Sequence, residues 1–412
     1  RGVNPALTSP VTAPRWIAPR RTWGRIVGRI WAGRASSRTG AAVSRGAVAA
    51  RSCWSSWLTA WRSRTGWEGL LATTMLLVGA LTPAYLPANS PWWPRLSRVG
   101  MSGVTWQVIG SALAITGVIV LVDAWLRLRP GRRASTVDAR AKHWAVLAVW
   151  ILPLLAAPPI FSHDAYSYAA QGWLMENDIN PYEGYPGLLP GVFADQVAQE
   201  WRFTRTPYGP LSLQLQHDIV RLAGFHPYWS AVMMRIPALV GVVLIGVFLP
   251  RLARRTGHDA SFAAWFGVLN PLLVVDFVGG AHNDSFMMGL MVFGLWLAAT
   301  ASWAWVPAAV VIGASAAVKQ PAVMAAVALP FIVHPMPSWR PRHVAAALGR
   351  VVGSLADAAG SFALITWRTG LGFGWYHAAD VPGRVMTVSP STLIGLAIRS
   401  VLTWFGRYGV AT

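Results

Sequence analysis

Cysteine is almost absent: Cys53 is the only one in 412 residues, which excludes an intrachain disulfide and any cysteine-based metal centre. Charge is scarce too. Only 12% of the residues are Asp, Glu, Lys or Arg against 54% hydrophobic, a balance that water-soluble domains do not carry. No glycine-rich phosphate loop, zinc-ligand spacing or serine-hydrolase elbow occurs, so nucleotide-driven and simple hydrolytic chemistry lose support. Nor is there an internal repeat, which weakens an inverted-repeat transporter reading.

What is present is apolar length. A bilayer core ~30 Å thick needs ~20 mostly apolar residues per helix, and such segments recur from Trp67 onward. Twenty-four Trp residues suit the membrane interface. Spans are expected at 67–86, 104–126, 144–161, 229–250, 260–278, 286–302, 348–367 and 392–404. A further apolar run, 305–333, is broken by Lys319-Gln320-Pro321 and reads as one tilted helix or as a hairpin of two short ones. Basic residues decide between them, because cytoplasmic loops are enriched in Lys and Arg. The hairpin keeps Arg340 and Arg342 inside and puts Lys319 near its outer tip.

The expected fold is therefore all-α and polytopic, with about ten membrane segments, a cytoplasmic amino terminus and a large extracytoplasmic loop, 162–228, after the third span. Residues 1–66 contain twelve Arg and no acid, so they cannot build a core. They read as a disordered basic tail whose partner, given a formal charge of +20, is anionic lipid rather than nucleic acid. Residues 67–412 read as one multi-span domain, truncated at its carboxyl end.

Ten of the fifteen acidic residues fall in or beside outer segments, so the polar work is expected on the outer face. The large loop opens with Ser162-His163-Asp164-Ala165-Tyr166, a carboxylate and an imidazole where the third span leaves the membrane. Partial desolvation suits Asp164 to general-base work; a hydrated helix-capping acid is the plainer alternative. Residues 176–182 and 206–210 mix turn formers with aromatic and hydrogen-bonding side chains, which suits sugars and ordinary tight turns alike. A second outer cluster joins Asp276 to Gly279-Gly280-Ala281-His282-Asn283-Asp284. Lys319 places an ammonium inside apolar sequence, where a phosphate or snorkelling to the interface would satisfy it. Arg235 has the same two readings. Arg350 and Asp357 share a helix face and read as a structural pair, and His217 and Asp218 read as solvated positions on a surface helix.

The blocks SHDAYSYAAQG (162–172), NPYEGYP (180–186), RTPYGPL (205–211), NPLLVVDFVGGAHNDSFMMGL (270–290), AAVKQPA (316–322) and GLGFGWYHAADVPGRV (370–385) occur in this order. Together they resemble the actinobacterial polyprenol-phosphomannose-dependent α-1,6-mannosyltransferases, a family of GT-C architecture. The resemblance implies an inverting transfer of mannose from polyprenyl phosphomannose to the 6-hydroxyl of a lipid-anchored mannan. That reaction would build the α-1,6 backbone of lipomannan and lipoarabinomannan at the plasma membrane, with the active site on its extracytoplasmic face. It implies Asp164 as base, supported by His163 and Tyr166. Lys319, assisted by Arg202, Arg205 or His282, would bind the donor phosphate, and Tyr166, Tyr208, Asn283, Asp284 and Trp375 are candidates for gripping sugar. No cofactor is demanded, although carboxylates and phosphate leave room for a divalent cation. The competing expectation is a transporter or flippase of a lipid-linked sugar, with Lys319, Arg235 and Asp357 lining its path.

Overall fold

A computed structural model describes residues 53–88, 90–131, 142–378, 394–398 and 400. Those from Ser55 onward belong to one compact unit. Most of the basic tail and of the expected span 392–404 lies outside the described residues. Every regular element among the described residues is helical.

The first long helix, α1 (Arg64–Ala80), begins where the Ser63 hydroxyl accepts the Gly66 N–H at 2.9 Å. It packs on α2 (Val104–Arg127), whose 24 residues reach ~36 Å and can cross a bilayer. The expected third span is a shorter helix, α3 (His143–Ile151), because Pro153, Pro158 and Pro159 remove donors and break it. The large loop folds into α4 (Asp164–Glu176) and α5 (Pro210–Leu222). Next come α6 (Pro227–Met233) and α7 (Arg235–Arg255), together long and apolar enough for a second span.

The expected span 260–278 is not straight. Ala260–Val268 and Leu273–Gly279 meet at 50°, with π-helical turns in both halves. Asn270 and Pro271 explain the break: the Asn270 side chain accepts the Leu272 N–H at 2.9 Å and Pro271 restarts the helix. Its first half is clasped to α2 by two indoles. Trp125 and Trp265 stack 4.5 Å apart, and each donates its N–H to the other's carbonyl, at 2.9 and 2.7 Å.

The remaining helices are α8 (Asp284–Ala298), α9 (Trp305–Ala316), α10 (Met324–Val333) and α11 (Pro341–Thr369), the last a third helix long and apolar enough to span. Between α9 and α10 the chain doubles back: Lys319 is extended, and the His334 ring beyond α10 lies 2.9 Å from the Ser302 carbonyl before α9. Both arms rest on α11, through Ser361 Oγ to Val310 O and Ser354 Oγ to Ala326 O, each at 2.8 Å.

Close backbone approach at small residues holds these helices together, as expected where lipid leaves no hydrophobic drive between them. In α7, a Cβ on Gly241 would overlap the Ser285 carbonyl of α8, and the Ser285 hydroxyl donates to Ala238 O at 2.6 Å. Gly241→Ala should therefore lower stability by roughly 1–3 kcal/mol, the usual cost of overpacking. Gly246→Ala on the same helix, where a Cβ meets only Val268 at 3.7 Å, should be nearly neutral when both are melted in detergent.

Candidate active site

Asp164 is the first residue of α4, where a carboxylate is favoured by the helix dipole, and its backbone N–H donates to Ser162 Oγ at 3.1 Å. One turn on, at i+4, Tyr168 lies on the same face with its hydroxyl 3.4 Å from Asp164 Oδ2 and 3.2 Å from Asn283 Oδ1. A phenol has one proton, so Tyr168 donates to one of them at a time. Asn283, at the start of α8, donates in turn to Ser212 Oγ of α5 at 3.1 Å. The polar chain thus joins α4, α5 and α8.

Lys319 comes to this place from the hairpin tip. Its Nζ donates to both oxygens of Asp284, at 2.9 and 2.8 Å, and lies 5.7 Å from the centre of the Tyr208 ring. Tyr208 stands edge-on to Tyr168 at 5.1 Å. Burial pushes the hydroxyls of Tyr168 and Tyr208 well above the usual phenol value, with the Asp164 charge adding to the effect at Tyr208, so both stay neutral.

Two sequence blocks build this junction. The Gly209 N–H donates to Val318 O at 3.1 Å, Leu211 N–H to Ala317 O at 2.9 Å, and the Gln320 amide to Pro207 O at 2.8 Å. A side chain at Gly209 would strike the Ala317 backbone, so only glycine lets the 205–211 loop lie against the hairpin tip. A third block props the loop: Tyr182 donates to Tyr208 O at 3.0 Å, and Asn180 reaches Leu371 O at 3.0 Å.

Beside Asp164 opens a small cleft of about 60 Å³, lined by Ser167, Gln171, Trp201, Thr204, Arg205, Pro207 and Tyr208. The Asp164 side chain is 30% exposed and that of Lys319 31%, so both heads reach the surface of this region. His282 sits between carboxylates, with Nδ1 3.9 Å from Asp164 Oδ2 and Nε2 3.8 Å from Asp276 Oδ1. Among the described residues, no group of three or more His, Cys, Asp or Glu converges closely enough to hold a metal.

The expected site residues divide accordingly. Asp164, His282, Asn283, Asp284, Lys319, Tyr208 and Arg205 gather here, and Arg205 has no ion pair among the described residues. Tyr166 does not join them: it is 1% exposed, its hydroxyl is buried without a hydrogen-bond partner, and its phenol faces Arg235 and Tyr228, so it cannot touch a sugar. His163 turns its Nδ1 to Gln196 O at 3.2 Å and so braces the loop. Arg202 is drawn aside to Asp195, through the backbone carbonyl at 3.2 Å. Asn283 is buried and Asp284 is taken by Lys319. Trp375 packs edge-on against Phe362, beside the Gly374 that rests on Tyr182.

Three other expectations are corrected. Arg235 neither snorkels nor faces the cleft; it is 3% exposed and bonds the carbonyls of Val278, Gly279 and Leu155 at 2.6, 3.2 and 3.3 Å. His217 is not solvated, because α5 lies close on α4 at Gly172 and brings it 2.8 Å from Glu176. Arg350 and Asp357 form no ion pair, and Arg350 Nε is buried without a partner. Tyr168, Trp201 and Thr204 went unassigned, and only Tyr168 carried a signal, its i+4 spacing from Asp164.

An all-α membrane protein with a carboxylate and aromatic rings on one cleft, and a lysine–carboxylate pair against one of those rings, is the class that fold and site define. Residues 66–336 match the family described as alpha-(1->6)-mannopyranosyltransferase, N-terminal domain, and the chain belongs to it. It is 34% identical over 294 residues to the alpha-(1->6)-mannopyranosyltransferase A of Mycobacterium tuberculosis, covering 69% of this chain and 56% of the relative. With the alpha-(1->6)-mannopyranosyltransferase A of Corynebacterium glutamicum it shares 29% over 326 residues, 72% of this chain and 64% of that one. A protein of Mycolicibacterium smegmatis named "Probable alpha-(1->6)-mannopyranosyltransferase" is 33% identical over 375 residues, 82% of this chain. The chain spans 65% of that relative, less than two thirds of its length. No solved structure matches the chain.

The Lys319–Asp284 pair should show up as thermodynamic coupling. Lys319→Met should destabilise the protein more than the double change Lys319→Met with Asp284→Leu, with a coupling energy of ~1 kcal/mol in detergent unfolding, because the single change leaves a carboxylate unpaired.

Proposed function

We propose that this chain transfers mannose from polyprenyl phosphomannose to the 6-hydroxyl of a lipid-anchored mannan, with inversion at the anomeric carbon. The observation that carries the reading is the meeting of Asp164 and the Lys319–Asp284 pair around Tyr168 and Tyr208, beside a small cleft lined by aromatic and hydrogen-bonding side chains. A primary hydroxyl must lose its proton as it attacks while a lipid phosphate departs from the opposite face. Asp164, accessible at the cleft, is the base.

Two of the three Lys319 N–H donors are held by Asp284, so the third is left for phosphate and the pair supplies no net charge. Arg205, unpaired on the cleft wall, supplies the missing positive charge. Trp201 and Tyr208 offer flat faces to pyranose rings. The prenyl chain lies against the apolar helices within the bilayer, so the donor needs no nucleotide. This reading sets the cleft on the extracytoplasmic face of the plasma membrane, in a domain of about ten membrane segments from residue 67 onward. Its product is the backbone of lipomannan and lipoarabinomannan.

Asp164→Asn tests the base. In proteoliposomes supplied with labelled polyprenyl phosphomannose and a short mannan acceptor, transfer should fall by at least ~10²-fold with the melting temperature unchanged. Turnover at the wild-type rate would refute the role, and labelled lipid crossing the bilayer without forming a glycosidic bond would point to a flippase.

A further inference from the structure

The transfer proposed above has a proton to dispose of. The donor phosphodiester carries one negative charge, whereas the departing lipid phosphate is a monoester whose second ionisation lies near pH 6, so around neutrality a proton leaves the site. Asp164 receives that proton but is only 30% exposed. While the acceptor occupies the cleft, a route on the other side of Asp164 would return it to the carboxylate form.

His282 stands where such a route would run. Its ring is 15% exposed and bridges two carboxylates, Nδ1 toward Asp164 at 3.9 Å and Nε2 toward Asp276 at 3.8 Å. The Nε2 atom is buried and has no hydrogen-bond partner. Asp276, on the far side, is the most open of the three at 47%. Exposure thus dips at the ring and rises again beyond it at Asp276. Each gap must shorten by about 1 Å to become a hydrogen bond, as catalytic contacts often do when substrate binds.

The backbone is shaped to hold the ring in that position. A Cβ on Gly280 would lie 2.6 Å from His282 Cδ2 and 2.7 Å from Asp276 O, so the ring occupies space that only glycine leaves free. Ala281 carries a left-handed φ of 56°, disfavoured for an alanine and kept by its surroundings. Arg235 fixes the strand of chain before it through Val278 O and Gly279 O. The charged groups around the imidazole are Asp164 from α4, Asp276 from the preceding segment, and the Asp284–Lys319 pair, which also acts on Asp276. Tyr168 touches Asp164 from the other side.

We propose that His282, with Asp276, is a positioning and proton-relay element that carries the acceptor's proton from Asp164 to water, rather than a ligand of the donor phosphate. This rests on the transferase reading above. As the acceptor oxygen bonds to the anomeric carbon, the bond from that carbon to the phosphate oxygen breaks and its electron pair leaves with the lipid phosphate. The acceptor proton passes to Asp164. It moves on to His282 Nδ1 while Nε2 releases its proton to Asp276 and thence to solvent, and a tautomer exchange restores the ring.

The test is His282→Ala in proteoliposomes with labelled polyprenyl phosphomannose and a short mannan acceptor, measured against wild type. A relay predicts that kcat falls ~10²-fold with the donor KM unchanged and that added imidazole restores turnover. Asp276→Asn, which keeps its volume and needs no refolding of the turn, should lower kcat in the same direction without imidazole rescue. A raised donor KM at unchanged kcat would make His282 a phosphate ligand and overturn the relay. So would wild-type turnover by Asp276→Asn together with a His282→Ala loss that imidazole cannot restore. Absence of transfer in wild type overturns the transferase reading itself, and the relay with it.

Discussion

An ammonium cannot stand alone at the tip of an apolar hairpin, and most of the architecture around the cleft follows from how Lys319 is satisfied. It takes both oxygens of Asp284 at the start of α8 and rests by the Tyr208 ring. Those contacts bind three pieces of chain far apart in sequence: the hairpin tip, the head of α8 and the 205–211 loop. Gly209 permits the contact, because its missing side chain lets the loop backbone lie on Ala317. Once that loop is fixed, Tyr208 meets Tyr168, and Tyr168 ties the assembly to Asp164.

The membrane frame serves this junction by being rigid where it needs to be. Helices α7 and α8 touch backbone to backbone at Gly241 and Ser285, and Arg235 spends its guanidinium on carbonyls of the bent segment just before His282. Broken helices cluster near the polar groups: the bend at Asn270-Pro271 precedes Asp276, and the turn at Lys319 interrupts the hairpin. Membership of the mannopyranosyltransferase family gives this arrangement its chemical context.

Apolar runs made the all-helical character legible, and Lys319-Gln320-Pro321 together with the placement of Arg340 and Arg342 marked the reversal between α9 and α10. Asp164 and Lys319 stood out because charge is rare here. What periodicity could not reveal was which charges are already spent. Asp284 reads as available for sugar until Lys319 closes on it, and Arg235 as either reaching phosphate or snorkelling, whereas its guanidinium bonds three backbone carbonyls. Tyr166 and Tyr168 are two residues apart in one aromatic-rich block and both are buried, yet helix geometry turns one toward Arg235 and Tyr228 and the other toward the carboxylate. The third span was overestimated because Pro153 follows its apolar run, and hydropathy counts proline as membrane-compatible while backbone chemistry does not.

The central claim is that the site which Asp164 and Lys319 build around Tyr168 and Tyr208 opens to the outside of the cell. Thiol labelling tests it most directly, because a Cys53→Ser background is free of cysteine. In that background Thr204→Cys, on the cleft wall, should react with a membrane-impermeant maleimide added to intact cells and be protected by polyprenyl phosphomannose. Arg340→Cys should react only after permeabilisation. Labelling of position 204 only after permeabilisation would contradict the account.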